Sequence, residues 1–588
     1  MLRAATLALA AASVAFHVWL VFSGLLPNLV SRPLHLLLAL PWIFLLDAQG
    51  GRAARLLAAA TGIAGIAACA VVILARDTLL DQYGALSGAW QFALALVLIA
   101  VVLDMARRAI KPILPCVALV ALAYGLLGDA IPGHWGHDPP PLDSFLGTLT
   151  IAEGGLWGEL TGISATTVAP FLILGSLVAV GDAGEGFMAL STRLGGRYRA
   201  GSAKVEVVAS ALYGTISGSA SANTASTGSI TIPNMIRMGY PPRFAAAVEA
   251  VSSTGGQIMP PVMGAGAFLM AEMLRVTYAD VMVAAALPAL LFFVAVWAGC
   301  HVYGHRFGLG GMAPEGLPSW GHVARTAPFF LAPFGTLVAL LAFSEMTPQY
   351  ACVVAIAVAV ALLLVDHRGR VDVRRFGRRL AHGCIDAARQ VAMIAAVIVC
   401  ASIVVGVLQM TGLGVKITSA MLALAGDRVW VALLLTALAC IVLGMEVPTT
   451  AAFVICISVA GPALARMGVP PLDAHMFVFW YALLSTITPP VCGTVYIAAG
   501  IANTPWLPVA GTAMRLGVGL FVLPPAFIAN PALLRPDEAV LPAIWAALKI
   551  GAGIALVSYA VIGTGPGGWM RRIAALAAGI AAILAFPV

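Results

Sequence analysis

The sequence predicts an all-α, polytopic membrane fold of roughly 14–18 transmembrane helices and re-entrant hairpins, two stretches of which are copies of each other. Three observations predict it. Of 588 residues, 61% are apolar and only 10% charged, where soluble domains carry about 25% charged residues. Apolar runs recur along the whole chain, many near the roughly 20 residues that cross a bilayer. Finally, one pattern of Pro and Gly occurs twice at a fixed distance. A water-soluble fold of this size has no means of hiding so much apolar surface.

Taken in chain order, apolar runs at 5–25, 34–46, 56–75, 90–105 and 112–131 predict the first group of spans. The run after Arg3 resembles a signal sequence but lacks a convincing cleavage region before further spans, so it is expected to be the first helix. A Pro-rich connector at 133–142 carries His134, His137 and Asp138, metal-like residue types without a fourth ligand, so a plain loop is expected there. Further spans are expected at 168–180, 279–303, 327–343, 349–365, 389–408, 429–443, 508–528, 541–562 and 573–588. The polar connectors are loop-sized, which leaves no room for a soluble catalytic domain.

The net charge of +7 follows topology rather than nucleic acid, because the basic residues cluster between spans. Residues 366–383 hold six arginines against two aspartates, and a short basic loop of this kind stays cytoplasmic. The nine cysteines include no Cys-x-x-Cys, which suggests neither a disulfide framework nor a thiolate metal site. There is no phosphate-binding loop for an ATPase.

The repeat has an offset of 229 residues. Residues 233–264 align without a gap on 462–493, and 12 of the 32 positions are identical, among them Arg237/Arg466, Gly239/Gly468, Pro260/Pro489 and Pro261/Pro490. Proline breaks a helix and glycine reaches conformations closed to other residues, so a repeated pattern of both means a repeated backbone shape. Five clean spans separate the copies, an odd number, which predicts inverted repeats if each Pro-Pro segment is re-entrant. Such duplication with matched helix breaks points to a transporter's binding site.

Before the first Pro-Pro unit, 213–233 is almost entirely Gly, Ala, Ser, Thr and Asn; its counterpart is 443–453. Unwound backbone at membrane depth survives only beside protein or a water-filled cavity. Its carbonyls and hydroxyls suit a small cation, and its helix N-termini suit an anion. Close helix packing by small residues is the other reading. Glu249, Glu272 and Glu446 lie at or near these segments, facing a cavity or else the interface and partners such as Arg237, Arg275 or Arg466.

At these residues the chain resembles the permease of a tripartite ATP-independent periplasmic (TRAP) transporter, most of all the fused form that works with TAXI-type binding proteins. The resemblance is carried by ISATT at 163–167, YGTISGSASAN at 213–223, AVEAVSSTGGQIMPPVMGA at 247–265, GMEVPTTAAF at 444–453, GVPPLDAH at 468–475 and ITPP at 487–490, and it covers about 156–530. It implies an elevator-type symporter of the bacterial inner membrane. Residues 1–135 would be a fused small-subunit-like scaffold, and 136–530 a DctM-like transport domain with repeats at about 156–305 and 385–530. The membrane helices expected in 531–588 are extra and exceed the minimal permease of that family. The resemblance also implies a periplasmic TAXI-type binding protein, a sodium or proton gradient, no cofactor, and small carboxylates such as dicarboxylates, 2-oxoglutarate or glutamate. No catalytic residue is implied.

Carried over by motif, the substrate and ion site would include Ser217, Gly218, Ser219, Ser221, Asn223, Thr224, Gly255, Gly256, Gln257, Pro260 and Pro261. From the second half come Gly444, Glu446, Thr449, Thr450, Thr486, Thr488, Pro489 and Pro490. A sodium ion would sit among Ser217, Gly218, Gly256, Thr449 and Thr486. The family commonly has glycine where this chain has Glu446, which favours a proton-linked variant. A stand-alone divalent-anion/sodium symporter, needing no binding protein, and an intramembrane enzyme are the rival readings.

Overall fold

The computed structural model describes residues 2–23, 26–47, 50–109, 112–344, 346–445, 447–563 and 568–584, apart from the side chains of Leu2, Ile216 and Ser217. Among these residues the regular structure is helical, and a lone β-bridge joins Val365 to Val371. Among the described residues, ten helices are long and apolar enough to cross a membrane. The segments Pro314–Thr326 and Pro328–Phe343 form an eleventh candidate bent by 50°, and five shorter apolar helices of 10–17 residues accompany them.

The longest helix, Val373–Thr411, is the post around which the N-terminal part assembles. Helices Leu2–Phe22, Asn28–Pro41, Ala89–Ala109 and Ile113–Leu126 all pack against it, and Arg52–Leu74 packs behind them. The sequence places the span only at 389–408 and treats 366–383 as a loop. In the structure the helix begins at Val373 instead, because the Asp372 carboxylate caps it by accepting from the Arg374 and Arg375 N–H groups. It ends at Gly412, whose φ of 65° takes the chain out of the helix. The basic residues from Arg374 onward are therefore helical. Arg379 and Arg375 reach Asp182, which also accepts from the His367 backbone N–H at 2.8 Å.

Two buried histidines tie the N-terminal helices together. His17 Nε2 and His35 Nδ1 lie 2.8 Å apart, His17 Nδ1 meets the Ser13 carbonyl, and His35 Nε2 reaches the Ser164 hydroxyl at 3.0 Å. Ser164 opens the π-helical turn Ser164–Val168. A polar chain buried among apolar helices is tolerated because each member is partnered.

The repeat is reproduced residue for residue. Helix Ala220–Arg237, then Pro242–Gly255, then a 3-10 turn at Gly256–Ile258 correspond to Thr449–Arg466, Pro471–Leu484 and Ser485–Ile487. The tight turns use Gly239 at φ 86° and Gly468 at φ 82°. Both Pro-Pro bonds, Pro260-Pro261 and Pro489-Pro490, are cis. The short helices that follow are exchanged. Gly493–Ile501 of the second repeat lies across Ala220–Arg237 and Pro242–Gly255 of the first, while Ala265–Leu274 of the first lies against Thr449–Arg466 and Pro471–Leu484 of the second.

Between the repeats the structure adds to the five spans counted in sequence a short apolar helix, Leu413–Ala425, of only 13 residues, so the expected odd count no longer argues for inverted repeats. This helix follows Gly412 directly and donates Thr418 Oγ1 to the Val459 carbonyl at 3.0 Å. At the C-terminal end, Val540–Ile562 packs against Tyr278–Phe307, and Gly568–Leu584 packs on it through Gly553 and Gly579. Asn530 pins this pair, donating to the Ile583 carbonyl at 3.0 Å and accepting from Lys549 Nζ at 2.6 Å.

Candidate functional site

The first broken segment turns at Gly218, where φ is 56° and a side chain would be strained. Helix Gly201–Ser217 stops there, and Ser219 starts the next helix by accepting from the Ala222 N–H at 3.4 Å. Small residues let the pieces close on each other. A Cβ on Gly256 would stand 2.5 Å from Gly214 Cα, and one on Gly255 would stand 2.3 Å from the Phe292 ring. In the second segment a Cβ on Gly444 would stand 2.3 Å from the Ser485 hydroxyl. Helix Thr449–Arg466 then starts behind Pro448, with Thr449 and Thr450 in its first turn. Each break thus presents a helix N-terminus, with free N–H groups and the positive end of the dipole.

The two repeats meet at these breaks. The Thr254 and Thr486 hydroxyls lie 3.1 Å apart, and Ser221, which is exposed, faces Gly493 across the exchanged helix. Thr494 donates to the Thr486 carbonyl at 2.8 Å. Each Pro-Pro turn is held by a tyrosine: Tyr278 donates to the Val262 carbonyl at 2.6 Å, and Tyr496 to the Pro490 carbonyl at 3.0 Å. The Gln257 carbonyl accepts from the Gly264 N–H at 2.7 Å and closes the first turn. Pro260, Pro261, Pro489 and Pro490 stay partly or fully exposed.

Eight of the expected site residues are buried instead: Asn223, Thr224, Gly255, Gly256, Gln257, Gly444, Thr449 and Thr450. Asn223 is fully buried, and its Nδ2 donates to the Ser210 and Ser253 carbonyls at 3.3 and 3.4 Å, bracing three helices. Thr224 donates to the Ala220 carbonyl. Thr486 and Thr488 donate to the Leu483 and Leu484 carbonyls at 2.9 and 2.8 Å while remaining partly exposed. Of the expected sodium ligands, Gly218 is at the left-handed turn, Gly256 abuts Gly214, Thr486 abuts Thr254, and Thr449 opens the other hairpin. The Ser217 side chain and Glu446 lie outside the described residues.

The acids separate. Glu272 is exposed, whereas Glu249 is fully buried and lacks an arginine partner among the described residues. It accepts instead from Thr227 and Thr231 at 2.6 Å each and from Ser253 at 2.9 Å. The sequence reading missed its neighbour Glu206, also fully buried, whose Oε1 accepts from Ser210 at 2.5 Å. A shared spacing marks the two: Glu206 with Ser210, and Glu249 with Ser253, each one helical turn apart.

Comparison with known proteins places these features in context. Residues 96–536 match the family described as tripartite ATP-independent periplasmic transporter, DctM component. The chain is 24% identical over 340 residues to the isethionate TRAP transporter permease protein DctMQ of Oleidesulfovibrio alaskensis, covering 57% of this chain and 51% of that protein. It is 23% identical over 335 residues to the C4-dicarboxylate TRAP transporter large permease protein DctM of Pseudomonas aeruginosa, covering 57% and 77%. An ectoine/5-hydroxyectoine TRAP transporter large permease protein of Ruegeria pomeroyi is 26% identical over 216 residues, covering 35% and 49%. The match thus spans about half the length of the isethionate permease. Helices Val540–Ile562 and Gly568–Leu584 fall beyond the family match.

Proposed function

Since this chain belongs to the family of DctM components of tripartite ATP-independent periplasmic transporters, we propose that it is the inner-membrane permease of an ion-coupled symporter for small organic acids. The observation that carries this is the meeting of the two repeats through Thr254, at the end of Pro242–Gly255, and Thr486, in the turn after Pro471–Leu484. The helix N-termini at Ala220 and Thr449 present N–H groups and hydroxyls suited to a carboxylate, with no cationic side chain required. Relatives named for C4-dicarboxylates and isethionate share one chemical feature, a small anion. The preferred substrates are carboxylates such as dicarboxylates, 2-oxoglutarate or glutamate, received from a periplasmic binding protein of the TAXI type.

In this scheme the helices of 1–135, gathered on Val373–Thr411, form the stationary scaffold. The two hairpins move with the substrate. Coupling requires that ion and substrate together stabilise the loaded, movable form more than either does alone.

The test is uptake of labelled succinate, 2-oxoglutarate and glutamate into proteoliposomes, with and without the binding protein, under a sodium or a pH gradient. Accumulation only with the binding protein supports the tripartite assignment, and the effective gradient names the ion. Accumulation without any binding protein would overturn it in favour of a stand-alone symporter.

A further inference from the structure

Two fully buried carboxyls, Glu206 on Gly201–Ser217 and Glu249 on Pro242–Gly255, are joined through Ser210 and Ser253, whose hydroxyls donate to them and lie 3.3 Å apart. Among the described residues neither has a cation within ion-pair distance. The donors around them are unequal. Glu249 receives Thr227 and Ser253 on Oε1 and Thr231 on Oε2. Glu206 receives Ser210 on Oε1, and among the described residues its buried Oε2 has no hydrogen-bond partner.

Two ionised carboxylates side by side, out of water and without a counter-charge, repel each other and lose their hydration. One proton resolves both problems. Placed on Glu206 Oε2, it removes one charge and supplies the missing donor toward Glu249, which its three hydroxyls suit to remain the carboxylate. The arrangement lacks a single hydrogen rather than a metal. The surrounding hydroxyls are committed as donors, and no group of three or more His, Cys, Asp or Glu that could hold a metal occurs among the described residues.

The other elements packed here add little charge. Helix Ala220–Arg237 contributes only the threonine hydroxyls. Tyr278–Phe307 contributes the buried Cys300 thiol. Lys204, on the Glu206 helix, turns away to His301 Nδ1 at 3.3 Å and to the Trp297 ring.

The pair is also continuous with the hairpin. Ser210 and Ser253 lie 3.3 Å apart, and the carbonyls of both accept from Asn223, four residues after Ser219 starts the helix. We propose that the Glu206–Glu249 pair holds one proton and is the site at which this permease couples substrate movement to a proton gradient. This rests on the transport function proposed above.

The experiment has two arms. Infrared spectroscopy of the purified chain in lipid nanodiscs at neutral pH reads the proton directly, as the carbonyl band of a protonated carboxylic acid. The band is expected in the wild type, lost in Glu206→Gln, and shifted in Glu249→Gln, where the proton loses its carboxylate acceptor. Its absence from the wild type, or its indifference to both variants, overturns the proposal. In proteoliposomes with the binding protein, Glu206→Gln is expected to lose pH-driven accumulation of labelled succinate, 2-oxoglutarate or glutamate at least tenfold. Exchange of labelled for unlabelled substrate should persist, which shows that the variant is folded. Sodium-driven accumulation unchanged in Glu206→Gln overturns the coupling role. A normal band with no uptake of any tracer by the wild type overturns the transport function and the coupling with it, and leaves only the protonated pair.

Discussion

The hydroxyls of Thr254 and Thr486 approach to 3.1 Å, joining the end of one re-entrant helix to the turn after the other across 232 residues of sequence. Both side chains also lie within reach of carbonyls on their own helices, so the contact links two already ordered ends.

Thr254→Val and Thr486→Val should each slow uptake several-fold, and the double variant should be little worse than either single. A double-mutant cycle is expected to give a coupling of about 1 kcal/mol. Simple additivity would show that the two hydroxyls act independently.

Gly255→Ala places a methyl where the Phe292 ring stands, so it should destabilise the protein by about 1–3 kcal/mol, read as a fall in Tm in detergent. Gly500→Ala, with open space around it, should leave Tm unchanged. Equal effects from the two would sink the close-packing account of the small-residue segment.

Asp182 gives a pH dependence. Burial works against its charge, but the His367 backbone N–H and the Arg379 guanidinium hold its carboxyl below the ordinary carboxylate value. A lowered folded-state value stabilises the fold above the ordinary range, and that contribution is lost as pH falls through the lowered value. Asp182→Asn should therefore reduce thermal stability at neutral pH, by roughly 1–3 kcal/mol for a lost charged hydrogen-bond cluster, and should change it little in strong acid. A deficit that is the same at both pH values would contradict this.

Arg535 and Asp473 form a pair at 2.5 Å with the carboxyl almost wholly buried, fastening the chain before the C-terminal helices to the second re-entrant helix. Arg535→Ala should cost about 3 kcal/mol, because it leaves a buried charge unpaired. Replacing both with apolar residues of similar size should recover much of the loss. Failure of the double variant to recover would mean that the pair's geometry, rather than its charge balance, is what holds the segment.

Much of the architecture was legible because proline and glycine act on the backbone locally. The offset of 229 residues carries over to helix ends, tight turns and Pro-Pro bonds alike. What was not legible depends on contacts between distant segments. Asn223 looks like a ligand in sequence, yet it spends its amide on Ser210 and Ser253. His17 and His35 lie in separate apolar runs, and only the packing of two helices brings them together. Glu206 stands two residues from Lys204 and passes for part of an ordinary charged helix end, and only its match with the Glu249–Ser253 spacing gives it away. The start of the longest helix was misjudged because arginine content signals a loop, while a single capping aspartate decides where the helix begins.

The exchange of short helices bears on how the protein is made. Pro242–Gly255 leaves the ribosome well before Gly493–Ile501, the segment that covers it. At ~5–20 residues per second the interval is roughly 10 to 50 seconds. For that time a stretch rich in serine, threonine and broken backbone sits at the membrane without its lid. Insertion of this permease is therefore a task of safekeeping: the early half has to be sheltered, by the N-terminal helices or by the insertion machinery, until the late half arrives to close it.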